Sequence, residues 1–178
     1  TSIENVLGGS FDDFITGSTG ANSIQAGGGD DTLTGGGGAD TLSGGAGNDL
    51  IYYNSQATID GGSGRDVLRI DDAVANFTTA TGLVSGIEVI DIASNAGVSA
   101  LTLSVQNVAT LAGGQSGTVS VIGSQGDLLT PSGDWSRNRD QDTDGYEAYT
   151  SGSLKLMVST AISVVGETID GTNTAGLL

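Results

Sequence analysis

The chain reads GGSFDDFIT from Gly8 to Thr16, GSTGANSIQ from Gly17 to Gln25, AGGGDDTLT from Ala26 to Thr34, GGGGADTLS from Gly35 to Ser43 and GGAGNDLIY from Gly44 to Tyr52. After eight irregular residues, GGSGRDVLR from Gly61 to Arg69 closes the series. The period is nine residues: Asp or Asn stands at each sixth step (Asp13, Asn22, Asp31, Asp40, Asp49, Asp66) and an aliphatic residue at each eighth (Ile15, Ile24, Leu33, Leu42, Ile51, Leu68). Six Gly-rich residues can turn at φ values that other residues avoid, and a triplet such as Thr32-Leu33-Thr34 suits a very short strand. One block therefore makes turn plus strand, with the eighth-step side chain facing inward and its neighbours outward. A disordered acidic linker has no reason to set an aliphatic residue two positions after each Asx, six times over.

Two blocks make one coil of 18 residues, which stacks Asp13, Asp31 and Asp49 on one edge, with Asp66 next after a step of 17. Asn22 and Asp40 stack on the other edge. Stacked carboxylates with no Lys or Arg interleaved repel one another unless a cation lies between them. Calcium meets that demand, because it takes six to eight oxygens, backbone carbonyls included, and Gly-rich turns leave carbonyls unobstructed. Phe11, Ser18 and Ala26 replace glycines of the full pattern and Asn22 replaces the Asp, so the first three blocks are expected to bind less tightly.

Composition points the same way. The 178 residues include 31 Gly, far above the ordinary share of about 7%. Net charge is −16, and ten of the 17 Asp lie between Asp12 and Asp72 with only Arg65 and Arg69 to offset them. Such a segment should resist compaction without metal, and the shortage of Lys and Arg excludes nucleic acid as a partner. With no Cys there is neither a disulfide framework nor a thiolate metal site. The chain also lacks His, and no Ser nucleophile has a candidate base, so no catalytic residue and no organic cofactor is expected. No apolar run is long enough for a membrane helix, and the opening at Thr1 lacks the cationic start of a signal peptide, which suggests a fragment. Extracellular calcium modules bind at about 10⁻⁴ to 10⁻³ M, so a calcium requirement points to export from the cytosol.

After Ile70 glycine thins out. The expected architecture is all-β: a roll over 1–70, a β-rich capping or extension domain with one short helix over 71–165, and a linker or tail over 166–178. Two apolar stretches, Ala73-Val74-Ala75 and Gly86-Ile87-Glu88-Val89-Ile90-Asp91-Ile92, follow the repeats, and the second alternates as a strand does. It echoes Ser2-Ile3-Glu4-Asn5-Val6-Leu7, and both read as rungs without a metal turn. A helix from Ser104 to about Ala112 is capped by Ser104 and ended by Gly113-Gly114. Strands are expected at 117–123, 146–150, 153–159 and 161–165. Trp135, the single Trp, is read as a plug of the small core or a cap of the solenoid and not as a ligand contact. Asp140-Gln141-Asp142-Thr143-Asp144-Gly145 opens like an EF-hand loop, which makes Asp140, Asp142 and Asp144 a second candidate metal loop. Ser151 stands where that loop needs Glu, and Asp144-Gly145 serves a hairpin better.

Ile3-Glu4-Asn5-Val6 running into Gly8-Gly9-Ser10-Phe11-Asp12-Asp13, then Gly20-Ala21-Asn22 and the full repeats, resembles the hemolysin-type (RTX) calcium-binding repeats of proteins exported by bacterial type I secretion. The later order Gly86-Ile87-Glu88-Val89-Ile90-Asp91, Leu101-Thr102-Leu103, Gly126-Asp127, Trp135, Asp144-Gly145-Tyr146 is similar to modules near the C-terminus of large RTX adhesins. The first resemblance implies a right-handed parallel β-roll with calcium held between turns two blocks apart. It implies one ion between Asp13 and Asp31 with the carbonyls of Gly9, Phe11, Ala26 and Gly28. A second joins Asp31 to Asp49 through Gly27, Gly29, Gly44 and Ala46. A third joins Asp49 to Asp66 through Gly45, Gly47, Gly61 and Ser63. On the other edge Asn22 and Asp40 share one with Ser18, Gly20, Gly35 and Gly37, and beyond Asp40 the residue met is Thr58, no substitute ligand. The implied complement is about three to five Ca2+.

The resemblance thus implies a non-catalytic structural module of a secreted adhesin or surface protein, which folds on calcium after export. Its partners are calcium, neighbouring domains of a longer chain and the type I secretion machinery, with the surface ligand unspecified. The alternative is the secretion and folding appendage of an exported protease, lipase or epimerase. If each site has a dissociation constant ten times below ambient calcium, mass action adds ~1.4 kcal/mol per site, and four sites add roughly 6 kcal/mol.

Overall fold

The computed structural model describes residues 4–71, 74–77, 83–92, 100–113 and 117–165. Ser2, Ile3, Ala73, Gly114 and the tail over 166–178 lie outside the described residues. The repeats form β1 (Asn5–Leu7), β2 (Phe14–Thr16), β3 (Ser23–Gly28), β4 (Thr32–Thr34), β5 (Thr41–Ala46), β6 (Leu50–Tyr52), β7 (Thr58–Ser63) and β8 (Val67–Arg69). Odd and even strands separate into two parallel sheets. One runs β1-β3-β5-β7, and β2, β4, β6 and β8 pair in the other. Ile24 pairs with Leu42 and Leu33 with Ile51, so a step of one coil returns each aliphatic side chain to the same line. Ile24, Leu33, Leu42, Ile51, Ile59 and Leu68 are fully buried between the sheets, while Ile15, in the first coil, is half-buried. This is a parallel β-roll.

Beyond the repeats come β9 (Val74–Asn76), β10 (Val84–Ser85), β11 (Val89–Asp91), β12 (Ala100–Ser104), α1 (Val105–Leu111), β13 (Gly117–Ile122), β14 (Leu128–Ser132), β15 (Ser136–Arg137), β16 (Tyr146–Ser151), β17 (Leu154–Ser159) and β18 (Ser163–Val164). They continue the coil. β11 pairs in parallel with β8, β13 with β11 and β17 with β13, so one nine-stranded sheet crosses residue 70 and joins both segments of the chain. A third sheet, β18-β14-β12-β9, opens beside it, and β10 ends the sheet that began at β1. Where another strand would follow β10, α1 packs instead, and Ile87 donates its N–H to the Leu111 carbonyl at 3.0 Å. The helix starts as expected: Ser104 Oγ accepts the Asn107 N–H and the Asn107 side chain accepts the Ser104 N–H. Val108 and Leu111 bury its inner face.

The far end is closed by antiparallel pairing. β16 turns back along β17, and β15 along β16, with Trp135 and buried Tyr149 packed against the core. β14 carries Pro131, paired with Leu103 on one side and extending past β18 on the other, where a strand can do without an N–H.

Candidate metal centre

Each turn delivers its sixth residue immediately before a strand, and the register aligns these residues. Asp31 Oδ1 accepts the backbone N–H of Asp13 at 2.7 Å, Asp49 Oδ1 that of Asp31 at 2.9 Å, and Asp66 Oδ1 that of Asp49 at 2.8 Å. On the opposite edge Asp40 Oδ1 accepts the Asn22 N–H at 2.8 Å. Every acceptor in this ladder belongs to the next coil. Asp31, Asp40, Asp49 and Asp66 are no more than 2% exposed, and the Oδ2 of each is buried with no hydrogen-bond partner. An ionised carboxylate with one bare oxygen inside a protein is strongly unfavourable unless something positive meets it.

No side chain does. Among the described residues the ion pairs lie elsewhere: Arg69 holds Asp71 and Asp91, and Arg137 holds Asp142 and Glu147. Burial pushes the Asp66 carboxyl up to about 6, against the pull of the Asp49 N–H and with added repulsion from Asp49, Glu88 and Asp60. Burial raises Asp49 as well, opposed by the Asp31 N–H and reinforced by Asp31 and Asp30.

Backbone carbonyls crowd the same turns. A Cβ built on Gly44 would meet Asp49 Oδ2 and, at 2.6 Å, the Gly61 carbonyl. The Ala26 and Gly35 carbonyls stand likewise beside Gly8 with Asp13 and beside Gly17 with Asn22. These are the first-position carbonyls of the expected ligand sets. At the second and fourth positions successive coils touch chiefly through backbone: Gly9 lies on Gly27, Gly27 on Gly45, Phe11 on Gly29, Gly29 on Gly47 and Gly20 on Gly38. Gly45 and Gly47 have φ of 117° and 133°, so only glycine fits there without strain. At the third position Gly28 and Gly37 donate N–H groups to the carbonyls of Gly9 and Ser18, while the Ala46 and Ser63 carbonyls accept from Gly29 and Gly47. The structure thus brings the Ala26, Gly35 and Gly61 carbonyls beside the side chains of Asp13, Asn22 and Asp49, and stacks the remaining turn residues named from sequence coil on coil.

Among the described residues no three His, Cys, Asp or Glu converge as a metal cluster. A cation here would take one or two carboxylates and fill its shell from carbonyls, which suits a hard, oxygen-seeking ion of flexible coordination such as calcium. The first coil is the weaker end: Asp13 is half-buried, and its Oδ2 already accepts the Gly9 N–H at 3.0 Å. Asn22 Oδ1 accepts the Ser18 N–H at 2.8 Å.

Several features depart from the sequence reading or escape it. Thr58 pairs with Thr41, so the residue aligned with Asp40 is the buried Ala57 and not Thr58, because the irregular stretch shortens that coil by one residue. Its Asn54 sends Nδ2 to the carbonyls of Gly36 and Gly38, at 3.3 and 3.1 Å. A second ladder runs outside the first and in the opposite sense. Asp12 Oδ1 accepts the Asp30 N–H at 2.8 Å, Asp30 Oδ1 that of Asn48 at 2.7 Å, and Asn48 Oδ1 that of Arg65 at 2.9 Å. Asx at the fifth step was the signal for it. The inner ladder also continues past the repeats, since Glu88 Oε2 accepts the Asp66 N–H at 2.9 Å.

The EF-hand-like loop is a hairpin connection. Asp142 bonds Arg137 at 3.0 Å and accepts the Ala148 N–H at 2.8 Å, while Asp140 and Asp144 are exposed and Thr143 bridges Tyr146. Asp142 is engaged by the hairpin, and among the described residues Asp140, Asp142 and Asp144 do not converge as a cluster.

Comparison with known proteins agrees with this geometry. The family model described as RTX calcium-binding nonapeptide repeat (4 copies) matches residues 7–42, 27–57 and 58–69. Residues 7–69 are RTX calcium-binding nonapeptide repeats, wound here into a β-roll that the rest of the chain extends. No curated protein matches the chain. Among solved structures, the solution structure of the AlgE6R3 subunit from the Azotobacter vinelandii mannuronan C5-epimerase is similar at 22% identity and a TM-score of 0.21, covering 96% of this chain and 86% of that one.

Proposed function

We propose that this chain is a non-catalytic structural module of a secreted bacterial surface protein of the adhesin type, and that it reaches its fold on meeting calcium after type I export. The observation that carries this reading is the row of buried, unpartnered Oδ2 atoms on Asp31, Asp40, Asp49 and Asp66. With calcium bound, the ion supplies the positive charge that these oxygens lack. The residues' own contribution is to hold the oxygens at fixed spacing: each Oδ1 is tied to the N–H of the preceding coil, which leaves Oδ2 to face the turn. In the cytosol, where calcium is scarce, the repelling carboxylates keep the segment open. Outside the cell the filled turns set a stiff rod, because the nine-stranded sheet gives it one unbroken wall. A rod of this kind spaces or presents neighbouring domains.

The test is far-UV circular dichroism with parallel calorimetry on chelator-stripped protein, adding calcium up to about 10 mM, above the range in which extracellular modules fill. A cooperative gain of β-structure with uptake of about three to five ions is the expected result. Full β-structure in excess chelator, with no uptake on titration, would sink the reading.

A further inference from the structure

The metal row has a place to continue beyond the last repeat. The family match ends at residue 69, and the next coil takes 22 residues instead of 17 or 18 to return to the same edge, so no nonapeptide rhythm marks it. The register nevertheless repeats. Val89 of β11 pairs with Val67 of β8, which sets Glu88 opposite Asp66 as Asp66 is set opposite Asp49. Val89 donates its N–H to the Asp66 carbonyl at 3.0 Å, as Val67 does to Asp49 at 2.8 Å. Glu88 Oε2 accepts the Asp66 N–H, as Asp66 Oδ1 accepts that of Asp49.

The carbonyl wall repeats too. A Cβ on Gly61 would meet the Gly86 carbonyl and, at 2.7 Å, Asp66 Oδ2, in the same arrangement that the Gly61 carbonyl and Asp49 Oδ2 make about Gly44. Asp66 is fully buried, and its Oδ2, aimed into this space, has no partner. Gly62 and Gly64 follow Gly45 and Gly47 in the stack, where Gly86 lies against the Gly62 N–H, and both glycines remain exposed.

We propose that Asp66, Glu88 and the Gly86 carbonyl form a further calcium site, one coil past the repeats, completed by water on the open side of Gly62 and Gly64. This rests on the calcium reading of the repeats and extends it to a residue type and coil length that the nonapeptide pattern does not contain. Glutamate suits the position because Gly86 stands only two residues before it, where Gly61 stands five before Asp66. The longer side chain restores the reach that the shorter turn removes. Fewer protein oxygens surround this ion than its neighbours in the row, so it is the first to leave as calcium falls.

Native mass spectrometry of the calcium-saturated chain tests the site, comparing wild type with Glu88→Gln and with Asp144→Asn as an equal change of charge in the hairpin loop. Gln retains an acceptor for the Asp66 N–H. The expected result is one ion fewer in Glu88→Gln and an unchanged count in Asp144→Asn. An unchanged count in Glu88→Gln overturns the proposal. No ions in the wild type would overturn the calcium reading of the repeats as a whole, which is a different outcome. A second measurement avoids any folding defect of the variant. The chain has four Glu, so carboxyl-labelled glutamate gives four resolvable carbon signals, and that of Glu88 should shift on calcium saturation in the wild type. A Glu88 signal left at the position of a free carboxylate in saturating calcium would also overturn the site.

Discussion

Asn54 Nδ2 donates to the Gly38 carbonyl at 3.1 Å, and the same amide reaches the Gly36 carbonyl at 3.3 Å. Gly36 and Gly38 are the second and fourth residues of their block, positions whose carbonyls the calcium reading assigns to an ion in other blocks. A side-chain amide thus lies against carbonyls that would otherwise await a cation, and Ala57, aligned with Asp40, offers no carboxylate. The short edge is closed by a neutral donor.

Asn54→Asp should reopen it. Three oxygens would then face one another, which costs about 1 to 3 kcal/mol for the unsatisfied group in chelator. In calcium the variant should bind one ion more than the wild type, read by native mass spectrometry. An unchanged count together with unchanged stability would show that the amide is not standing in for a cation.

Asp49→Asn separates the two roles of a ladder residue. Its amide oxygen can still accept the Asp31 N–H, but the buried charge is gone. In chelator the variant should retain more β-structure than wild type, and in calcium it should need several-fold more ion to fold. Circular dichroism in both conditions checks this, and a variant weaker in both would assign Asp49 a packing role only.

Glycines at the same step of the repeat should divide by coil. Gly45→Ala places a Cβ against the Gly27 carbonyl at a φ of 117°, and should destabilise the calcium form by more than about 2 kcal/mol. Gly9→Ala meets nothing within 4 Å and should change stability by less than about 0.5 kcal/mol. Thermal melts in saturating calcium distinguish them, and equal losses would contradict the stacking described here.

Acid should partly replace calcium. The Asp66 carboxyl is raised from 3.8 to about 6 by burial in the metal-free fold. A fold that raises an acid's pKa binds extra protons between the two values, so its stability is greatest below the lower one and falls as pH rises through the upper. In chelator, β-structure should therefore grow as pH is lowered through about 6 toward about 4. A flat dichroism signal over that window would mean the carboxylates do not oppose folding.

The roll was legible because its signal is periodic: Leu33, Leu42 and Ile51 fall on one line, and the spacing of Asp31 and Asp49 fixes one coil. Ser104 and Gly113 likewise bracketed α1 correctly through their cap chemistry. What escaped was aperiodic. Glu88 reaches the metal edge through a coil of unequal length, and Asn54 acts through a bond across coils that no spacing rule encodes. β14 was hidden by Pro131, which is tolerated because the strand outruns its neighbour β18. The rung at 86–92 was legible from its echo of the opening strand and pairs with β8, but the next step from β11 to β13 was hidden, since Val89 and Ser120 share no common beat.

The antiparallel hairpin of β15 and β16 forms one end of that sheet, while at the other end β2 has no further strand among the described residues and its Phe14 is 78% exposed. The hairpin therefore ends parallel stacking on its side of the nine-stranded sheet, so among the described residues a further parallel rung could join that sheet only beside β2.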